Sequence, residues 1–438
     1  MTSEALDQVR SAGDGAIDHS GLVVGLGSFA GQGLSPVPVH AEGVTVHFSD
    51  GRSLLDGASG LWNVILGHGN PAVTEALVSA ITDVGYLKCF ETPNLYAISA
   101  AQRLLAAAPT YTRVIFGTSG ASGVEIAIKV ARQFAAIGGS TQKNGIVTLR
   151  DSWHGLSLGA SPLTGQNVGQ SLYSADRRYV VHTDVNDVEA LAATFRKNGE
   201  RICAVVVEPI MGTGAVTLSA EFLEALLSLR AQYGFLLVAD EVTTGFWRTG
   251  PLLASFSWPE PPDVAVVSKG LTNGTCAASA VLVAERPATT LAQARAVLGH
   301  GETQAGTPPS CAAIIAVLGE GARIDAPQCA KNLEDRIRTR LHRLTEREEA
   351  VTGFRGCGAM FSIDVVGAEF DGAGLLASIR IEGALVHKSP RGLQIMPALT
   401  YTSDQVDGLF NAIESGIRMW SATSTSQSTP PRPGATST

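Results

Sequence analysis

"GFLLVADEVTTGFWRTG", residues 234–250, is the stretch from which the rest of the chain can be read. An apolar run ends in Asp240 and Glu241, and hydroxyls and glycine follow. Apolar side chains on consecutive positions suit a strand covered on both faces, as in a parallel sheet flanked by helices. Such a strand delivers its last residue to the carboxyl edge of the sheet, where open α/β sheets bind ligands. Two acids there fit two chemistries: the metal-holding strand end of a nucleotide hydrolase, or a carboxylate partner for a cationic ligand atom.

Working outward, similar runs recur as TRVIFG (112–117), NGIVTLR (144–150), RRYVVH (177–182), ICAVVVEP (202–209), DVAVVSKG (263–270) and ASAVLVA (278–284). Between them VEIAIKVARQFAAI (124–137), DVEALAATFRKN (187–198) and SAEFLEALLSLRAQYG (219–234) carry helical periodicity. The last has Ser219 as a cap and Gly234 as a stop. The alternation predicts an α/β domain. After residue 306 helical stretches lead into short strands, FRGCGAMFSIDV and GLQIMPAL, which predicts a smaller α+β domain. The expected division is an N-terminal segment (1–60) packing on the small domain, a large domain (61–305), a small domain (306–420) and a tail (421–438). That tail is rich in Ser, Thr and Pro and is expected to be disordered.

Composition narrows the function. The 438 residues are 45% apolar and 16% charged, with a formal net charge of −8. That sign offers no footprint for nucleic acid or an anionic membrane surface. The six cysteines, at 89, 203, 276, 311, 329 and 357, form no C-x-x-C pair and no zinc-ligand spacing, and read as reduced thiols. No basic-then-apolar leader opens the chain and no apolar run reaches the ~18 residues of a membrane span, so a soluble, cytoplasmic protein is expected.

A census of strand ends gives Gly117-Thr118-Ser119-Gly120, Trp153-His154-Gly155, Glu208-Pro209, Asp240-Glu241 and Ser268-Lys269-Gly270. Lys269 stands out, because the chain has 25 arginines and only seven lysines. An amine at the mouth of an apolar strand is desolvated, which lowers its pKa and frees the lone pair needed to form an imine. Alone, it reads equally as a lysine snorkelling at a strand end. Asp240, 29 residues earlier, changes the balance. A carboxylate and an amine at neighbouring strand ends can hold opposite ends of a flat cofactor, the acid on a protonated ring nitrogen and the amine on an aldehyde. This is what pyridoxal phosphate requires. Gly117–Gly123 joins a strand to a helix N-terminus, a phosphate cradle. The nucleotide-hydrolase alternative lacks its G-x-x-x-x-G-K-[ST] loop.

These residues resemble class III pyridoxal-phosphate-dependent aminotransferases, the ornithine and ω-amino acid group. The resemblance runs from "LWNVILGHGNPAV" (61–73) through "GTSGASGVEIAIKVAR" (117–132), "WHG" (153–155), "VVVEPIMGTGAV" (205–216) and the opening stretch. It continues to "HGETQAGTPPSCAA" (300–313) and "FRGCGAMFSIDV" (354–365). It implies a fold-type I homodimer with a mostly parallel central sheet and shared active sites. Lys269 would be the Schiff-base lysine and proton shuttle, and Asp240 the pyridinium partner. Ser119, Gly120 and Ala121 would cradle the phosphate, with Thr303 reaching it from the neighbouring subunit. Trp153 would stack on the ring, Glu208 would support the site by hydrogen bonding, and Thr243 would reach the ring hydroxyl.

The chain also departs from the pattern. Where the phosphate loop usually reads Asn-Ser-Gly-Ser-Glu, it has Thr118 to Ser122, and the hydroxyl lost at Ala121 is expected to be replaced by Ser119 or Ser122. Relatives that bind an α-carboxylate use an Arg where this chain has Gln394, and the Glu that holds that Arg aside is Thr213. A guanidinium grips a carboxylate bidentately and a neutral amide does not. The expected activity is therefore amino transfer in which one substrate lacks a free α-carboxylate, such as an amine, aldehyde or ketone on a peptide, polyketide or similar molecule. Trp62, Trp247, Arg248 and Gln394 are the expected substrate-facing residues, and Glu241 has no assigned role. The rival readings are an aminomutase, epimerase or decarboxylase on the same cofactor, and a catalytically idle partner protein.

Overall fold

The computed structural model describes residues 15–30, 33–366 and 370–427. Its largest sheet has seven strands: β1 (Tyr111–Gly117), β2 (Gly145–Leu149), β3 (Val180–Thr183), β4 (Ile202–Val207), β5 (Leu236–Asp240), β6 (Val264–Val267) and β7 (Ser279–Ala284), in the order β1-β7-β6-β5-β4-β2-β3. From β3 to β6 neighbours are parallel, while β7 runs antiparallel to both β6 and β1. Two reversals restore the direction, so Gly117 at the end of β1 lies on the same carboxyl edge as Asp240 and the residues after β6. The fold is α/β with a mixed, mostly parallel sheet.

The consecutive apolar runs have the expected cause. Val264 and Val266 of β6 belong to one core cluster with Val124 and Ile128 of α1 (Gly120–Ile137), whereas Ala265 and Val267 belong to another with Ile314 and Val317 of α4 (Pro308–Arg323). Alternate residues point to opposite faces of a strand, and both faces here are covered. Helices α2 (Val188–Asn198) and α3 (Ala220–Tyr233) complete the layers. Ser219 caps α3 through its hydroxyl, which accepts from the Phe222 amide, and Gly234 closes it in the left-handed conformation at φ 70°. The β5–β6 connection differs from the expected βαβ step: it carries only the single-turn helix Ala254–Ser257. Gly245, Gly250, Pro251, Pro259, Pro261 and Pro262 leave no room there for a longer helix.

Beyond α4 and the long α5 (Ala326–Arg347), a four-stranded sheet follows: β8 (Val351–Cys357), β9 (Met360–Val365), β10 (His387–Ser389) and β11 (Gly392–Ile395), ordered β8-β9-β11-β10. Phe361, Ile363, Leu393 and Ile395 join the core beneath it. The opposite face presents Met360 and Gln394, with Met396 just beyond β11, to the Ile210–Ala215 turn of the large sheet. The strands Pro38–Glu42, Thr45–Phe48 and Ser53–Asp56 share a sheet with Ala384–Leu385, which joins the N-terminal segment to the region after residue 306. The last helix, Ser403–Gln427, continues into the stretch expected to be a tail from 421. Its helical register is anchored by Trp420, which is buried against Phe370. Residues 428–438 of that expected tail, and residues 1–14, lie outside the described residues. Among the described residues no helix is long and apolar enough to cross a membrane, and no group of three or more His, Cys, Asp or Glu is arranged to hold a metal ion.

Candidate active site

Asp240 and Lys269 meet at the carboxyl edge of adjacent strands. Asp240 pairs in register with Val266 of β6, two residues before Ser268-Lys269. Asp240 is buried. Its Oδ1 accepts from the Val242 amide at 3.1 Å, and its Oδ2 lies 2.7 Å from His154 Nδ1. Burial opposes charge on that imidazole, but the hydrogen bond and charge of Asp240, with the charge of Glu208, prevail and raise its pKa. His154 Nε2 is 3.0 Å from Thr148 Oγ1, which fixes the far side of the ring.

Lys269 has a backbone φ of 42°, left-handed for a side-chain-bearing residue, at the start of a short helical turn. That geometry is the kind of strain that persists at functional sites because the surroundings enforce it. Its Nζ donates to Thr243 Oγ1 at 2.7 Å and stands 4.6 Å from the centre of the Trp62 ring. Burial lowers its pKa to about 8; Glu208 and Asp240 oppose the shift and Arg248 adds to it. Glu208 is held by the amides of Trp153 (2.9 Å) and Gly212 (2.7 Å). Burial raises its pKa to about 7, with His154 opposing and Asp240 reinforcing.

At the end of β1, Ser119 caps α1. Its hydroxyl accepts from the Ser122 amide, and the Ser122 hydroxyl returns to the Ser119 amide, a reciprocal capping box. This engages both hydroxyls expected to replace the one missing at Ala121. It leaves the Gly120 and Ala121 amides without a hydrogen-bond partner among the described residues, pointing out of the helix N-terminus. A side chain at Gly120 would meet Val242 at 2.9 Å, and one at Gly155 would meet Ala121 at 2.5 Å, so glycine keeps both approaches open. Glu302 closes the outer side, accepting from the Thr118 amide at 3.1 Å and from the Thr118 hydroxyl, while His300 holds its other oxygen at 2.9 Å. Next to Glu302, the Thr303 carbonyl accepts from the Tyr86 hydroxyl at 3.1 Å.

Two expectations about substrate-facing residues are corrected. Arg248 is almost wholly buried and donates to the carbonyls of Pro397 (2.6 Å), Ala359 (3.3 Å) and Trp62 (3.3 Å). It splices three chain segments and has no free face for an anion; burial lowers its pKa to about 9. Trp247 is buried against Gly321 of α4, where a Cβ would lie 2.1 Å from the indole, and edge-on to Phe246. Both turn inward because Phe246 and Trp247 adopt left-handed backbone, φ 56° and 64°, reversing the chain into the core. Trp62 stands beside the Lys269 amine, and Gln394 lies under the Gly212 turn that Glu208 also holds. Gln394 is buried and its amide donates to the Gly212 carbonyl at 2.7 Å, while Thr213 accepts from Gln166 at 2.5 Å. Glu241 acquires a job: it accepts from Thr244 Oγ1 and the Ala254 and Ser255 amides, tying the 241–255 excursion together.

Residues 31–417 match the family model described as aminotransferase class-III. The chain belongs to that family. An acetylornithine aminotransferase of Mycobacterium bovis is 33% identical to this aminotransferase over 394 residues, 87% of this chain and 92% of the relative. One from Methanothermobacter thermautotrophicus is 30% identical over 85% and 92%. Among solved structures, an amine transaminase from an uncultivated Pseudomonas species in its PLP-bound form superposes with a TM-score of 0.86 at 27% identity, covering 91% of this chain and 98% of that one. An (S)-enantioselective ω-transaminase from Thermomicrobium roseum gives 0.85 at 28%, covering 96% and 99%. The protein is a fold-type I, PLP-dependent transaminase.

The side chains of this aminotransferase fit PLP. Two free amides at a helix N-terminus suit a phosphate. The Asp240 carboxylate keeps lone pairs beyond those used by His154 and Val242, enough for a protonated ring nitrogen. A desolvated amine lies within reach of the same enclosure, with Thr243 beside it. Sequence reasoning missed His154 as the partner of Asp240, although it sits inside "WHG". A histidine directly after the expected stacking residue was the available signal; its pairing across 86 residues was not.

Proposed function

We propose that this aminotransferase moves an amino group between an amine or amino acid and a carbonyl compound, and that one of the two lacks a free α-carboxylate at the Gln394 subsite. The observation that carries this reading is Gln394 itself: a buried neutral amide already committed to the Gly212 carbonyl, where carboxylate-binding relatives are expected to present a guanidinium. Thr213 supports it, since no acid stands at the turn to hold an Arg aside. Trp62, beside Lys269, packs on the buried apolar cluster of Ile210, Ala215, Met360 and Met396, which backs its indole. A carbonyl or amine carried on a peptide, polyketide or similar molecule, with no carboxylate to pair at Gln394, is the substrate class this reading favours.

Bound PLP supplies an aldehyde carbon with which amines condense and a ring that stabilises charge left on a carbon when a proton departs. Lys269 Nζ, with its pKa near 8, is partly unprotonated at neutral pH and is the group that takes and returns the proton at the substrate carbon. Thr243 holds that nitrogen between transfers. Asp240 holds the ring proton, and His154 and the Val242 amide keep its carboxylate oriented. Ser119, Gly120 and Ala121 would hold the phosphate and Trp153, half-buried with its amide on Glu208, would stack on the ring; Glu208 fixes both Trp153 and the Gly212 turn.

A homodimer completes the reading. Leu87, Phe90, Leu95, Leu172 and Tyr173 are exposed large apolar residues that a partner subunit would cover, and the resemblance assigns Thr303 to the partner's phosphate. Size-exclusion chromatography with light scattering tests this, a monomer contradicting it. For substrate, half-reactions are compared with benzylamine and L-ornithine as donors in the native protein and in Gln394→Arg. The reading expects native preference for the carboxylate-free amine and a shift toward the amino acid in the variant. Efficient native turnover of amino acids and α-keto acids alike refutes it.

A further inference from the structure

The Lys269 amine is paired with the indole of Trp62, and the turn that presents that indole is held in a conformation the chain does not favour. Ser59 and Trp62 have φ of 49° and 69°, left-handed for residues with side chains, around Gly60 at 66°. Such backbone persists only where surrounding contacts over-determine it. The contacts converge on Asp56. Its Oδ1 accepts from the Ala58 amide at 3.1 Å, and its Oδ2 accepts from the Gly60 amide at 2.7 Å and lies 2.7 Å from His68 Nε2. Ser59 Oγ donates to the Met396 carbonyl at 2.6 Å, and Arg248 donates to the carbonyl of Trp62 itself. Asp56 is buried, so both oxygens are committed to this turn and to His68. The outcome is an indole face 4.6 Å from Lys269 Nζ, steadied by the edge of His387 at 5.5 Å.

We propose that Asp56 is a positioning residue for Lys269: by clamping the 58–62 turn it sets the Trp62 face as the seat of the lysine amine whenever that amine is released from the cofactor. A cation over an aromatic face is stabilised electrostatically, more so away from water. An amine seated there is held between Trp62 and Thr243 and is not left to swing freely. The inference rests on Lys269 being the cofactor-bound lysine. It assigns Asp56, His68 and Arg248 a role that acts through Trp62 and not by contact with substrate.

The test uses holoenzyme and methoxyamine, a small nucleophile that displaces the lysine, followed as loss of the visible imine absorbance. Asp56→Asn keeps the volume but can no longer accept from both amides and face His68. It is expected to slow displacement roughly three- to tenfold, the range of one lost cation–π contact. The same substitution in a Trp62→Leu background is expected to change the rate by less than about twofold, because the seat is already gone. Trp62→Phe, which keeps an aromatic face, is expected to recover most of the rate that Trp62→Leu loses. Equal slowing by Asp56→Asn in both backgrounds, or no slowing with Trp62 present, overturns the proposal. Should Asp56→Asn fail to fold, His68→Leu, which loosens the carboxylate while sparing its amide contacts, is run through the same pair of backgrounds with the same expectation. Absence of a visible band in the unmodified protein with PLP is a separate outcome, which removes the lysine assignment itself.

Discussion

Replacing His154 by leucine isolates what a buried imidazole does for Asp240. The pair is closed at 2.7 Å with both side chains out of contact with solvent, and removing it strips a hydrogen bond to a charged group, about 1.5–3 kcal/mol. Asp240 retains only the Val242 amide to orient it, so its hold on a protonated ring nitrogen weakens by a similar amount. At 1.36 kcal/mol per decade this corresponds to a fall in kcat/KM of roughly 10- to 100-fold. Asp240→Asn, which removes the charge, should cost more. The assay is kcat/KM for one donor–acceptor pair, with the visible spectrum confirming that PLP remains bound. Stability carries an independent sign. His154 has a folded pKa above its unfolded value, so its contribution is fully present below about pH 6.5 and is lost as pH rises through the folded pKa. The melting temperature of the cofactor-free native protein should therefore exceed that of the variant most in acid, the gap narrowing as pH rises. Activity of His154→Leu within twofold of native, or a stability gap that widens with pH, refutes the reasoning.

Two further outcomes follow from the site. Because the pKa of Lys269 is lowered to about 8, the rate at which cofactor-free protein captures PLP, read as growth of the visible band, should rise about tenfold per pH unit below that point and level off above it. Arg248→Met should lower stability by about 2–4 kcal/mol, since the carbonyls of Pro397, Ala359 and Trp62 lose their donor; urea denaturation reads the change.

Much of this architecture is written in patterns that need no structure. Runs such as ICAVVVEP and DVAVVSKG show double-sided burial, and strand-end chemistry then places Asp240 and Lys269 together. Ser219 and Gly234 mark the ends of α3. What escaped has a common cause: the direction of a side chain after a turn depends on backbone signs that composition does not reveal. Left-handed Phe246 and Trp247 send Trp247 and Arg248 inward, although the sequence has them facing substrate. Glu241, to which the sequence assigns no role, serves amides up to 14 residues away. His154 and Asp56 act through partners distant in the chain or through a turn whose strain is invisible in the letters, and β7 is antiparallel because its chain returns across the sheet from β6 with a short connection.

The central claim is that Lys269 is the amine that holds PLP. Borohydride reduction of the PLP-loaded protein, followed by peptide mass mapping, tests it most directly. The account predicts a single phosphopyridoxyl label on the peptide bearing Lys269, absent from Lys269→Ala along with the visible band. A label on another lysine, or a band that survives in Lys269→Ala, would contradict it.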